Sequence, residues 1–183
     1  EAHTPLKWHK ELFKYGKFLG IKVFSTPFDN DSVDFLYNIN CPVYKVASFD
    51  TVNKHLLRKI GSTSKPVIMS TGMTSYDELL EAIKALGRDG NGEVSDLALL
   101  HCVSAYPLSE KGANLSLIPY LHNIHEGPVG YSDHTIGVKV PVLSVAAGAN
   151  IIEKHFTLDI NAKGPDHAMS ANPDTLYYSK RNT

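Results

Sequence analysis

A chain of 183 residues, 43% of them hydrophobic, is long enough to bury one ordinary core. Its 18 Lys and Arg against 19 Asp and Glu leave a formal net charge of -1, with no long block of like charge to recruit nucleic acid or a membrane surface. No apolar run reaches membrane-spanning length and no charged-then-apolar leader is expected, so small molecules are the expected partners.

The first predicted element is a helix over 4–19. Thr4 is read as its N-cap, Pro5 as its first helical residue and Gly20 as its stop, with Trp8, Leu12, Tyr15 and Leu19 on one apolar face. Six short apolar runs follow, beginning at Ile21, Val43, Val67, Leu97, Val129 and Ile151. Between the third and fourth, Ser75-Tyr76-Asp77-Glu78 is a capping box opening a helix that carries Leu79, Leu80, Ile83 and Leu86 before Gly87. Asn172 and Pro173 open a last helix in the same manner. The run starts lie 22, 24, 30, 32 and 22 residues apart, which is the rhythm of parallel βα units, because parallel neighbours need a crossover between them.

Each run finishes in polar groups: Ser25 and Thr26, Lys45 and Ser48, Ser70 and Thr71, Ser104, Ser132 to His134, and His155. An open doubly wound sheet gathers its chemistry at one switch point, whereas in a barrel every strand end rims one shared pocket. The expected fold is therefore α/β, a (β/α)8 TIM barrel. A full barrel takes roughly 250 residues, so the chain is expected to hold six of the eight βα units, with two strands upstream of Glu1. Cys41 and Cys102 lack CxxC spacing and are read as reduced core residues, which favours the cytoplasm.

His134 and His155 close consecutive units, so both imidazoles can reach one point above the barrel mouth and hold a divalent metal. With two protein ligands, substrate and water oxygens would complete the coordination, as a catalytic site requires. Lys45 interrupts an apolar strand. Pointing inward, it needs either a carboxylate, Asp50 or Glu153, or a bound anion. The hydroxyls of Thr26, Ser48, Ser70 and Ser132 cap helices when taken singly; around one lysine they form an anion cradle. Asp133 is read as capping the following helix. Glu153 is expected one layer below His155 on the pocket face, with Lys154 pointing toward the helices. Asp166 and His167 belong to the loop beyond the last strand.

The stretches FSTPFDNDSVDFL, CPVYKVASFD, VIMSTGM, LLHCVSAYPL followed by NLSLI, GYSDHTIG, and IEKHFTLD leading to KGPDH resemble the sialic acid synthases. That family includes the N-acetylneuraminate, legionaminate and pseudaminate synthases, and the resemblance runs from the helix before Ile21 to Pro173. It implies a barrel enzyme that condenses phosphoenolpyruvate with an N-acylated amino sugar, aided by a divalent metal, usually Mn2+, with Mg2+ or Co2+ as substitutes. By position, it implies His134 and His155 as metal ligands, and Thr26, Lys45, Ser48, Ser70, Ser104 and Ser132 around phosphoenolpyruvate. Tyr106 and Asp166 match contacts to the sugar, and Asp50 matches a candidate acid or base, with Lys45 beside it. Ser104 stands where some members have Asn, and Asp50 where Glu is commoner.

Family members also carry two earlier strands, with a second phosphoenolpyruvate lysine and a sugar-contacting carboxylate. They end in an antifreeze-like domain that covers the partner subunit's site, which implies a homodimeric parent. Neither part is found here, so this chain alone is expected to be inactive. SFD and CVSAYP lean toward the pseudaminate type and KGPDH toward the N-acetylneuraminate and legionaminate types. Two other readings remain: a different metal-dependent barrel hydrolase using the histidine pair and Asp166, and a non-catalytic sugar-binding module.

Overall fold

The computed structural model describes residues 4–88 and 96–182, without the side chains of 180–182. Five strands form one parallel sheet in sequential order: β1 (Tyr44–Val46), β2 (Val67–Ser70), β3 (Leu97–Cys102), β4 (Val129–Asp133) and β5 (Ile151–Lys154). Helices stand between them: α1 (Leu6–Phe18) and α2 (Asn30–Asn38) before β1, then α3 (Lys54–Gly61), α4 (Tyr76–Ala85), α5 (Leu117–Ile124), α6 (Lys139–Ala146) and α7 (Pro173–Asn182). Sequential order with no reversal is the topology of a barrel wall, and the architecture is an α/β half-barrel.

The run at Ile21 does not form a sixth strand. It contributes one parallel bridge, Ser25 to Tyr44, and accepts one hydrogen bond from the Lys45 N–H at Ser25 O (3.2 Å). The run has β1 on one side only, and Pro27 removes a donor at its end.

Strand alternation divides the sheet into two faces. Tyr44, Val46, Val67, Met69, Leu97, Leu99, Val129 and Tyr131 are fully buried against Leu56, Leu57, Ile60, Leu79, Ile83 and Ile118 of the helices. The residues between them face the barrel axis. The pairing register stacks these into layers: Lys45 pairs with Ile68, Ser70 with Leu100, Cys102 with Ser132, and Ser132 with Glu153. Gly130 permits this spacing, because a Cβ there would lie 2.3 Å from the Ile151 carbonyl oxygen and 2.7 Å from Leu100 Cδ2.

The α4 capping box is present as read, with Ser75 Oγ accepting from the Glu78 N–H and Glu78 Oε2 accepting from the Ser75 N–H. The α7 start is also as read: Asn172 Oδ1 accepts from the Thr175 N–H and Thr175 Oγ1 from the Asn172 N–H, both at 2.9 Å. The first helix differs. It begins at Leu6 with Pro5 as its cap, and Trp8, Leu12, Tyr15 and Leu19 are exposed. The buried stripe is His9 and Gly16, with Phe13 partly buried between them. His9 meets Phe35 edge-on at 5.4 Å, and Gly16 lies so close to Val23 that a Cβ would fall 2.2 Å from its Cγ2. Close backbone approach at a glycine, rather than side-chain bulk, sets which face of α1 packs.

Candidate active site

The C-terminal ends of the strands surround a cavity of about 250 Å3. Thr26, Lys45, Ser48, Ser70, Ser104, Tyr106, Ser132, His134 and His155 all line it, so nine of the eleven residues singled out from sequence meet in one place. Asp50 and Asp166 are not on its wall. Asp50 ends the short 3-10 turn Ser48–Asp50, whose geometry sends Ser48 inward and carries Asp50 past the rim. Partial burial raises its carboxyl above the ordinary value, against a hydrogen bond with Asn53. Asp166 precedes the 3-10 turn His167–Met169, and its Oδ2 comes within 3.6 Å of His155 Nδ1. It therefore approaches the site through the imidazole.

Lys45 sits low in the cavity with its side chain 10% exposed. Its Nζ donates to Ser70 Oγ (2.8 Å) and to the Val46 carbonyl (2.7 Å), and lies 3.7 Å from Glu153 Oε2. Of the two carboxylates considered from sequence, Glu153 is the partner. Burial pushes the Lys45 ammonium below its ordinary value, and the nearby Glu153 charge opposes that shift. Glu153 Oε1 accepts from Ser132 Oγ at 2.7 Å, so one carboxylate ties the cation to the opposite wall. Ser48 is held from both sides: its Oγ accepts from the Gly72 N–H (3.0 Å) and its carbonyl from Thr51 Oγ1 (2.8 Å). The buried Thr51 hydroxyl also lies 3.2 Å from the Ser70 carbonyl, so its one proton is shared between the two acceptors. Ser104 Oγ is buried and has no hydrogen-bond partner among the described residues.

His134 and His155 each lie one residue past the last rung of the β4–β5 ladder, Asp133 opposite Lys154. Their ring centroids are 5.5 Å apart and nearly perpendicular. His134 Nδ1 lies 2.8 Å from the Val103 carbonyl, which can only accept, so Nδ1 carries a proton and Nε2 is the nitrogen left to bind a ligand in the neutral form; burial lowers His134, but the Cys102 and Val103 contacts outweigh it and hold the imidazole above its ordinary value. An imidazole held through one nitrogen to a backbone carbonyl is the usual support of a metal-binding histidine. Burial lowers His155 below its ordinary value, with Asp166 opposing, which favours the neutral ligand form. His134 and His155 are the two nitrogen donors here that could hold a divalent ion, with other ligands from substrate and water; among the described residues no third His, Cys, Asp or Glu completes a metal-binding group. Tyr106 covers the pair, its ring 4.0 Å from His134 and 5.8 Å from His155.

Cys102, read from sequence as a core residue, is buried and free but lines the cavity. Strand alternation contained the signal, since Cys102 lies two residues before Ser104 and on the same face. Thr51 had no such signal, because its role depends on the fold of the Ser48 turn. Asp133 does not cap α6. Its Oδ1 accepts from the Thr135 N–H (3.1 Å) and Thr135 Oγ1 (2.8 Å), and its Oδ2 binds Lys154 Nζ (2.5 Å). The first helical residue is Lys139, too far along for Asp133 to reach.

Polar side chains on strand ends of a sequentially ordered parallel sheet, converging on one cavity, define the active-site face of a TIM-barrel-type protein. The chain belongs to the NeuB family, whose model matches residues 1–180. It is 43% identical over 170 residues to the pseudaminic acid synthase of Helicobacter pylori, covering 93% of this chain and 49% of that protein. It is 42% identical over 176 residues to the N,N'-diacetyllegionaminic acid synthase of Campylobacter jejuni, covering 96% and 52%. Among solved structures, the N-acetylneuraminic acid synthetase of Leptospira borgpetersenii superposes with a TM-score of 0.92 at 37% identity, over 98% of this chain and 62% of that one. The chain thus spans about half the length of the curated relatives it matches.

Proposed function

We propose that this chain carries the phosphoenolpyruvate and metal-binding part of an enzyme that joins phosphoenolpyruvate to an N-acylated amino sugar, giving a nine-carbon sialic-acid-like acid and phosphate. The observation that carries this reading is the buried Lys45 ammonium sharing one small cavity with two imidazoles, one of them held through Nδ1 against a backbone carbonyl. Names of the relatives at 43% and 42% identity point the same way, and their near-equal similarity leaves the amino sugar open between N-acetylmannosamine and a 2,4-diacetamido sugar.

His134 and His155 would hold the divalent ion, Mn2+ in the first instance, with Mg2+ or Co2+ as substitutes. Bound there, it would supply Lewis-acid polarisation of the sugar aldehyde. Lys45 holds the anionic end of phosphoenolpyruvate, with Ser48, Ser70, Ser132 and Thr26 as hydroxyl donors or acceptors fixed before reaction. The unpartnered Ser104 hydroxyl gains a ligand acceptor. Glu153 orients the Ser132 hydroxyl and Lys45 together. The methylene carbon of phosphoenolpyruvate attacks the aldehyde carbon, whose oxygen takes up a proton; water then adds at the neighbouring phosphate-bearing carbon with loss of a proton, and that adduct's C–O bond to phosphate breaks, leaving the ketone and free phosphate. Tyr106 and Asp166 contact the sugar. Asp50, held in a turn beside Phe49 on the cavity wall, is the candidate acid or base. Orientation of the two reactants over one centre lowers the barrier by converting their encounter into an intramolecular step.

A hydrolase would use an activated water and has no use for a buried ammonium ringed by hydroxyls; that feature disfavours it. The reading extends to a homodimeric, cytoplasmic parent protein, with residues 1–183 inactive by themselves. Among the described residues no helix is long and apolar enough to cross a membrane. The deciding experiment offers the full-length protein phosphoenolpyruvate, Mn2+ and each amino sugar in turn. Phosphate should appear only when both reactants are present, together with a nine-carbon acid identified by mass. Phosphate from either reactant alone, or no product with any sugar, overturns the proposal. Robust turnover by residues 1–183 overturns the claim of inactivity alone.

A further inference from the structure

On the outer face of the sheet, directly behind the two imidazoles, lies an ion pair that the chemistry above does not use. Lys154 Nζ binds Asp133 Oδ2 at 2.5 Å, with side chains 8% and 0% exposed. The same ammonium donates to the Thr135 carbonyl at 2.6 Å. Asp133 and Thr135 are the two chain neighbours of His134, and Lys154 is the residue before His155. One ammonium therefore holds the Asp133 carboxylate and the Thr135 backbone carbonyl, on either side of the first imidazole in the chain, while its own backbone carries the second. Thr135 closes the group, donating its N–H and hydroxyl to Asp133, and is fully buried.

The position matters because the sheet ladder stops here. Asp133 and Lys154 form its last rung, and neither histidine is held to the other's strand by a ladder bond beyond it. What fixes the histidine backbones is separate and comes from other segments: the Leu108 N–H donates to the His134 carbonyl (2.9 Å) and the Ala171 N–H to the His155 carbonyl (2.8 Å). Those bonds tie each histidine to a different segment, so beyond the last rung the side-chain contact between Asp133 and Lys154 is what links the two strands to each other. A buried ion pair is weak evidence for stability, since removing its charges from water offsets much of the attraction, but it fixes geometry strongly.

We propose that the Asp133–Lys154 pair, closed by Thr135, is the positioning device that sets the separation of His134 and His155 for a shared divalent ion. This inference rests on the reading of those histidines as metal ligands. Asp133 and Lys154 are positioning residues that never touch metal or substrate, and supporting groups of this kind typically change metal affinity 10–100-fold.

The test measures Mn2+ binding to the full-length protein by loss of the free-ion paramagnetic resonance signal, and phosphoenolpyruvate binding by calorimetry without metal. Lys154→Met and Asp133→Asn are each expected to weaken Mn2+ about 10–100-fold while leaving phosphoenolpyruvate affinity within about twofold, because Lys45 and Ser70 stand on β1 and β2 and Ser132, on the opposite sheet face from the pair, is held by Glu153. Lys154→Arg should restore most of the Mn2+ affinity. The double variant Asp133→Asn with Lys154→Met removes both charges, so it should recover the thermal stability lost by either single variant yet keep the weak Mn2+ binding. If the single variants do not fold, the double variant decides. Wild-type Mn2+ affinity in the folded double variant, or equal losses of Mn2+ and phosphoenolpyruvate affinity, overturns the inference. His134→Ala separates the two levels: if it leaves Mn2+ affinity intact, the reading of the histidines as ligands fails. If it abolishes binding while the double variant does not weaken it, only the positioning inference fails.

Discussion

Replacing Lys45 by Met is the sharpest probe of the anion cradle. The ammonium is nearly dry, at 10% side-chain exposure, and is already aimed at the cavity by Ser70 and Val46. A ligand anion seated among the same hydroxyls would lie about 4 Å from Nζ. At that separation and an effective dielectric of ~20, a unit charge pair is worth about 4 kcal/mol. Met keeps the length of the stem and none of the charge, so phosphoenolpyruvate affinity should fall roughly 10^2–10^3-fold, at about 1.4 kcal/mol per decade. The fold should survive. Glu153, left behind, is 38% exposed and keeps contact with water and with Ser132, so the loss in stability should stay below ~2 kcal/mol.

The pH dependence has a defined sign. Burial places the folded-state pKa of Lys45 below its ordinary value of 10.5. Anion affinity is therefore present below that lowered pKa and lost as pH rises through it. For stability the sign is opposite: between the lowered pKa and 10.5 the unfolded chain binds more protons, so Lys45 makes wild-type stability rise with pH in that window, and Lys45→Met removes the rise. The assay is calorimetric titration of phosphoenolpyruvate into wild-type and variant full-length protein, repeated across alkaline pH, with thermal melts alongside. A loss of affinity under fivefold would refute the cradle.

Three further outcomes are expected. Gly130→Ala sets a methyl 2.3 Å from the Ile151 carbonyl oxygen, a backbone atom that cannot rotate away. It should cost about 3 kcal/mol, lowering the melting temperature by roughly 6–12 °C; a fall under about 2 °C contradicts the packing. Ser75→Ala removes the α4 cap and should cost about 1 kcal/mol in a denaturant titration while leaving turnover unchanged. Treatment with a chelator should abolish turnover and added Mn2+ should restore it in wild type but not in His134→Ala; activity that survives chelation speaks against a metal at the imidazoles.

Much of the architecture is legible in the chain because it is local. The βα rhythm, the capping boxes at Ser75 and Asn172, and the alternation that turns Lys45, Ser70, Ser132 and Glu153 inward each depend on a few neighbouring residues. The common endings of the runs also announce a shared pocket, since parallel strands in sequential order must bring their C-terminal ends together. The tertiary structure decided what depends on distant partners. The run at Ile21 alternates like a strand but pairs on one side only, so it makes a single bridge. The apolar face of α1 has the expected period, yet the helix packs on His9 and Gly16 because Val23 reaches the glycine backbone. Asp133 has the chemistry of a cap, and only the β4–β5 register puts Lys154 beside it. A residue's preference for a face or turn is set by its own backbone, but its charge partner is set by which strand is folded against it, and that information is spread over the whole chain.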